Sequence, residues 1–262
     1  MTVRGAADVA FFQVGGFELL GSVTNFTDKS EAVLVESHAL GDAWKEQTFA
    51  GVRAAEITQD GFYDDAVDGA HAALSTGPGV GRVLVYGLEG TATGAGVVCW
   101  SNAMEVNYQR IAARDDLVRA KAVYRSNGPV ESGKLLRTYK PTGASGATTG
   151  GSSGVDNGAS TPAYTTAVAV GGGAGYFSWN ATANVEGNFR ILDSADNLTF
   201  ATLLTFTKTT SGGTSTAPVR GAERLTTTGA IQRYTAVDYT TASATGGTGI
   251  SYLMALVRGL TT

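Results

Sequence analysis

At 262 residues the chain exceeds one domain of ordinary size and suits two compact units of roughly 100 to 150 residues each. Its 36 glycines are about double the ~7% of average usage and its 16% of charged residues falls well below the ~25% norm, a composition that suits an all-β protein with many turns and much surface buried in assembly. A net charge of −4, a pI near 5.2 and the lack of any block of Lys and Arg argue against a nucleic-acid binder that works by neutralising phosphates.

The single cysteine, Cys99, allows no intrachain disulfide, and its neighbours Val97, Val98 and Trp100 make it a small hydrophobe in a strand. Met1 to Ala10 carries no cationic segment followed by an apolar run, so no secretory signal is expected. No run of ~18 apolar residues is available to cross a bilayer.

In chain order, Asp8 to Leu20 predicts two short strands around a tight turn at Gly15-Gly16. A second alternating segment runs from Ser22 to Asp28. Ala32 to Leu40 is apolar on both faces, as in a strand covered on both sides. Gly41 to Gly51 shows no period and reads as a long loop carrying Trp44 and Phe49. From Val52 to Phe62 the alternation is clear: Ala55, Ile57 and Gln59 share a buried face, while Glu56, Thr58 and Asp60 share a wet, acidic one. A helix is expected near 65–76, with Asp64 or Asp65 as N-cap, Val67, Ala70 and Leu74 as its apolar stripe, and Gly77-Pro78-Gly79 as its stop.

Strands are next expected over Arg82–Leu88, Gly96–Ser101, Ala103–Ile111 and Leu117–Arg125. In the third, Glu105, Asn107 and Gln109 share a face with Ala103, opposite Met104, Val106 and Tyr108. In the fourth, Val118, Ala120, Ala122 and Tyr124 oppose Arg119, Lys121 and Arg125. Thr142 to Pro162 is almost wholly Gly, Ser, Thr and Ala; it reads as a linker between domains 1–141 and 163–262, flexible from Gly143 to Gly154. The second half predicts seven more strands, no helix, and a turn cluster at Asp193–Asn197, a spacing that indicates a sandwich or barrel.

The chain offers no constellation of enzyme grade. Gly150-Gly151-Ser152-Ser153-Gly154 has the letters of a nucleophile elbow but lies in the linker rather than on a strand-to-helix turn. His38 and His71 are too few for a histidine metal site; the first reads as packed or interfacial and the second as a solvated helix residue. The pairs Asp64-Asp65 and Asp115-Asp116 fit a cap and a turn better than a glycosidase acid and base. Neither cofactor nor metal is expected.

Three pieces of Glu31 to Ser75 carry a resemblance: Gly41-Asp42-Ala43-Trp44-Lys45, Ala50-Gly51-Val52 with the strand after it, and Gly61-Phe62-Tyr63-Asp64 before the helix. They resemble the core of the tail tube (major tail) proteins of long, non-contractile phage tails, and the resemblance extends over about Phe11 to Arg125. More loosely, NFRILDSADNLTFATLLTFT and SYLMALVRG resemble the C-terminal modules of such proteins. The resemblance implies a mainly β fold, a tail-tube-type sandwich or barrel with one short helix, plus a second all-β sandwich domain. It also implies a structural virion protein, made in the host cytoplasm, that self-assembles into stacked rings forming a hollow tube for DNA ejection.

In that family strands from all subunits form the inner wall, the helix lies outside, and the long loop reaches the next ring. Carried over, Glu56, Thr58, Asp60, Glu105, Asn107 and Gln109 would face the lumen, and Asp42, Trp44, Lys45, Glu46 and Phe49 would form the inter-ring loop. The implied partners are other copies of the chain, tape-measure and tail-terminator proteins, and phage DNA sliding past without specific binding; no membrane is implied. Six chains per ring, or three closing a pseudo-hexamer, both remain open, as does whether the second domain lines or decorates the tube. A reading from another class is a carbohydrate-binding or adhesive β-sandwich surface protein using Trp179 and Tyr234 as stacking platforms.

Overall fold

A computed structural model describes residues 9–37, 46–66, 69–75, 79–87, 89–112, 114, 117–139, 148–151, 154–157, 171–181, 185–209, 219–243 and 250–259. The chain is mainly β, built of antiparallel sheets with one short helix among the described residues. β1 (Phe11–Val14) and β2 (Phe17–Glu18) form the expected hairpin, in which Gly15 and Gly16 have φ of 58° and 92°. Two positive φ angles in succession are what a two-residue type I′ turn demands, and glycine supplies them without steric cost. β3 (Val23–Ser37), β4 (Glu46–Phe62), α1 (Ala70–Leu74), β5 (Gly81–Gly87), β6 (Gly96–Ile111), β7 (Arg119–Ser126) and β8 (Val130–Tyr139) follow. The remaining strands are β9 (Thr148–Gly151), β10 (Val155–Asp156), β11 (Gly173–Ala181), β12 (Val185–Ser194), β13 (Ala201–Thr209), β14 (Val219–Thr227), β15 (Tyr234–Ser243) and β16 (Ile250–Arg258).

The chain groups into two compact units: one of Met1–Leu20, Arg82–Ser101 and Glu131–Thr262, the other of Gly21–Gly81 and Asn102–Val130. This grouping does not follow a division at 142–162. β8 precedes that segment and β16 follows it, yet they pair antiparallel from Tyr252↔Tyr139 to Leu256↔Lys134. Part of the expected flexible linker is itself sheet, because β9 and β10 both pair with β15. Short Gly/Thr-rich strands are held by backbone hydrogen bonds, so they leave no apolar period to read.

In the first unit the strand order is β14-β11-β16-β8-β6-β5-β1-β2. The two ends of this sheet approach each other: a Cβ on Gly16 would lie 2.5 Å from the Gly221 nitrogen, and the Arg220 guanidinium sits 4.3 Å from the Phe17 ring centroid. The enclosed face carries Phe11, Val85, Cys99, Leu135, Tyr176 and Leu253. On the other face, Phe177 and Tyr252 meet the second sheet, of order β10-β15-β12-β13, through Phe189, Phe206 and Tyr239. The Phe177 ring lies 4.6 Å from Phe189 and 5.3 Å from Phe206, tilted in both cases, the offset geometry that aromatic quadrupoles favour.

Within the enclosed face, Glu131 is 5% exposed and is matched by Arg224, whose Nη2 donates to Oε1 at 2.7 Å and whose Nε donates to Oε2 at 3.2 Å. The Tyr176 hydroxyl also donates to Glu131. Burial, then the neighbouring Cys99 and Glu131, hold the Tyr176 phenol far above its ordinary value, and burial does the same to the Cys99 thiol. Cys99 is therefore the inert strand residue that its neighbours suggested.

The turn at Asp193–Asn197 is present between β12 and β13, with Asn197 at φ 62°. Asp196 accepts from the Leu198 and Thr199 amides, both at 2.9 Å, and from Ser194 Oγ at 2.8 Å, which lowers its carboxyl to about 2.

Two outcomes follow from these contacts. Arg224→Ala leaves Glu131 buried with too few partners and lowers unfolding free energy by about 3–5 kcal/mol in a urea titration, while the paired replacement Glu131→Leu/Arg224→Met loses much less. Asp196 stabilises the fold fully above its unfolded pKa of ~3.9, and that contribution fades as pH falls toward 2. Asp196→Ala therefore lowers the melting temperature at about pH 6, and the gap from the unaltered chain narrows at about pH 2.

Candidate functional site

In the second unit β3, β4, β7 and the later part of β6 form one antiparallel sheet in that order. One face is closed: Ala55, Ile57, Gln59, Ala120, Ala122 and Tyr124 are all buried. This is the expected alternation of β4. α1 reaches the same face, with Ala70, Ala73 and Leu74 buried. The helix is shorter than expected, beginning after Gly69, which serves as N-cap without a side-chain bond. Asp64 acts one turn earlier: its carboxylate accepts from the Ala66 amide at 3.0 Å and its carbonyl from the His71 amide at 2.8 Å. An aspartate that closes a local turn competes with the helix it was expected to cap.

His71 departs from the solvated reading. Its Nδ1 lies 3.0 Å from the Tyr108 hydroxyl, and its ring sits 5.0 Å from Tyr63. Burial, and then Tyr63, raise the Tyr108 phenol. Gly61 marks a close approach between β4 and the start of β3, where an added Cβ would fall 2.0 Å from the Ser22 carbonyl oxygen.

The opposite face is open and polar. Cross-strand partners share a face, so the registers Glu56↔Arg125, Thr58↔Val123 and Asp60↔Lys121 set Glu56, Thr58 and Asp60 beside basic residues of β7. Arg125 Nε donates to Glu56 Oε2 at 2.9 Å, and Lys29 Nζ lies 2.5 Å from Glu31 Oε1. The face is thus close to charge-balanced rather than acidic. The basic side chains of β7 were legible in sequence as one alternating set; what sequence lacks is the register that lays them against Glu56 and Asp60. Phe62 and Ile111, 41% and 48% exposed, flank Arg119 at one end.

β6 corrects the expectation that Glu105, Asn107 and Gln109 share a face. The register steps from Glu105↔Tyr124 to Asn107↔Val123, leaving Val106 as a bulge. Asn107 and Gln109 therefore join the open face through Val123 and Lys121, whereas Glu105 turns to the Tyr124 face and is 1% exposed. A bulge adds one residue and inverts everything on its far side.

The expected loop from Gly41 to Gly51 is also revised, because β4 starts at Glu46. Glu46 pairs with Ser37 and Phe49 with Leu34. β4 pairs with β7 only from Glu56 to Phe62. Among the described residues it pairs from Glu46 to Ala54 with β3 alone, so nine residues form a two-stranded arm of roughly 30 Å. Asp42, Trp44 and Lys45, together with His38, lie outside the described residues, at the connection between the arm's two strands.

Trp179 and Tyr234 each have a partner on one ring face. The Trp179 ring lies 5.2 Å from Phe177 at an interplanar angle of 15°, and the Arg233 guanidinium covers Tyr234 at 5.1 Å. Among the described residues no group of three or more His, Cys, Asp or Glu is placed to hold a metal ion. Among the described residues no helix is long and apolar enough to cross a membrane.

No family model and no curated protein matches the sequence. Among solved structures, the tail of an empty gene transfer agent particle, refined helically with C6 symmetry, aligns at a TM-score of 0.38 and 15% identity, over 49% of this chain and 97% of that one. The SPP1 Dit (gp 19.1) protein, described as a hub of the adsorption apparatus in phages infecting Gram-positive hosts, aligns at 0.34 and 11%, over 95% and 99%. Infectious bursal disease virus, Gx strain, aligns at 0.27 and 11%, over 98% and 60%.

The two faces of β4 differ measurably. Glu56→Gln and Asp60→Asn change unfolding free energy by no more than about 1 kcal/mol, as exposed pairs do, whereas Ile57→Ala costs about 2–5 kcal/mol. Chemical denaturation of the three variants checks the assignment.

Proposed function

We propose that this chain is a structural protein of a phage tail, whose copies assemble into stacked rings around a hollow tube that conducts DNA. The observation that carries this reading is the arm. A two-stranded ribbon is marginal in water without a third strand or a packed face. Here its strands include Ala32-Val33-Leu34-Val35 and Phe49-Ala50-Gly51-Val52, apolar on both faces by alternation. A second copy of the chain would pack on this apolar ribbon, and Asp42, Trp44, Lys45, Glu46 and Phe49 are the residues proposed to meet the next ring.

The sheet of the second unit has the other attributes a ring wall needs. One face is closed by α1, and the other is wet and nearly neutral. Among the described residues β3 pairs on one side only, with β4, leaving an edge to continue the sheet into a neighbouring subunit. Glu56, Thr58, Asp60, Asn107 and Gln109 are proposed to line the lumen, without Glu105. DNA carries a charge every ~1.7 Å, so a lysine-lined wall would hold it, whereas paired charges let it slide. The sequence resemblance to tail tube proteins points the same way, and tape-measure and tail-terminator proteins are the further partners it suggests.

Negative-stain microscopy of the purified chain is expected to show rings or hollow tubes. Trp44→Ala, or removal of residues 42–47, is expected to leave a folded subunit, with an unchanged circular dichroism spectrum, that no longer forms tubes. A persistent monomer at high concentration, or normal tubes from the shortened chain, would overturn the reading.

A further inference from the structure

The first unit contains a cavity of about 490 Å³ that the proposed assembly does not use. It opens between the β1–β2 hairpin and the ends of β8, β11 and β16. The registers Ser178↔Leu253, Leu253↔Thr138 and Asn180↔Ser251 put Thr138, Ser178, Asn180 and Ser251 on one face of the sheet, directed into this space. Gln13 and Glu18 line it from the hairpin. The Trp179 ring is directed to the opposite face, where it stacks on Phe177.

Ser178 is 2% exposed, and its Oγ has no hydrogen-bond partner among the described residues. Gln13 Oε1 is likewise buried without a partner, although its Nε2 donates to Glu18 Oε2 at 3.2 Å. Leaving a buried hydroxyl or amide oxygen unsatisfied costs ~1–3 kcal/mol, so a protein seldom keeps two around one cavity unless something else completes them. The Glu18 carboxylate is already held by the Phe12 and Leu20 amides, each at 3.2 Å. No Lys, Arg or His is among the described lining residues.

We propose that this cavity binds a neutral sugar unit. Its polar lining combines groups that both donate and accept, Ser, Thr and Asn, with the acceptors Gln13 and Glu18, which call for hydroxyl donors, while Ala10 and Phe11 add apolar surface. Among the described residues the lining supplies a carboxylate and no cation, Arg220 standing over the Phe17 ring instead, which disfavours phosphates and acidic ligands. The volume lies within the ~300–1,000 Å³ typical of small-molecule sites. With the Trp179 ring stacked on Phe177 rather than laid across the cavity, affinity falls in the millimolar range. All lining residues belong to the first unit, so the site does not depend on tube assembly.

Isothermal titration of the full chain with glucose, galactose and N-acetylglucosamine, with inorganic phosphate as the anionic counterpart, tests the proposal. At least one sugar is expected to bind saturably at millimolar concentration and phosphate not at all. Ser178→Ala is expected to weaken that sugar about fivefold or more while leaving the melting temperature unchanged or raised, because it removes a hydroxyl that lacks a protein partner. Asn180→Leu is expected to abolish binding, and gives a second reading should the serine variant fail to fold. Binding of phosphate alone, binding of none of the sugars, or a Ser178→Ala variant that loses stability but keeps full affinity would each overturn it.

Discussion

Pairing of β11 on both edges is the interaction on which the first unit depends. Over Gly173 to Ala181 it is hydrogen-bonded to β14 on one side and β16 on the other, without a register break. A strand satisfied on both edges has its alternation locked, because a one-residue slip would turn every side chain to the wrong face. Tyr176 and Ser178 are thereby committed to the enclosed face, and Phe177 and Trp179 to the second sheet. The Glu131–Arg224 pair, the aromatic cluster and the polar cavity all inherit their positions from that register.

The second unit reverses this logic. Its β3 is paired on one edge only among the described residues, and half of β4 has no partner beyond β3. Such edges are a hazard for a monomer and an asset for an assembling subunit, since unsatisfied backbone groups and apolar alternation both invite another chain.

Several features were legible in the residues alone. The Gly15-Gly16 hairpin follows from local steric limits, and the alternation of β4 from a period of two. The Asp193–Asn197 turn follows from side chains that bond their own backbone. Gly61 has a local steric reason as well, because it admits the Ser22 carbonyl where any side chain would collide. Other features were not legible. β8 was not anticipated, and β9 and β10 lie in a stretch whose composition reads as linker.

Sequence by itself determined which residues could share a face and where the chain could turn, since both depend on neighbours a few positions apart. Tertiary structure decided what met what. The bulge at Val106 sent Glu105 into the core and kept Asn107 and Gln109 outside, a one-residue offset that sequence periodicity cannot register. The partner strand decided that Arg125 and Lys121 would neutralise Glu56 and Asp60, and that Tyr108 would receive His71. These outcomes depend on hydrogen-bond register between segments tens of residues apart, which no local pattern encodes.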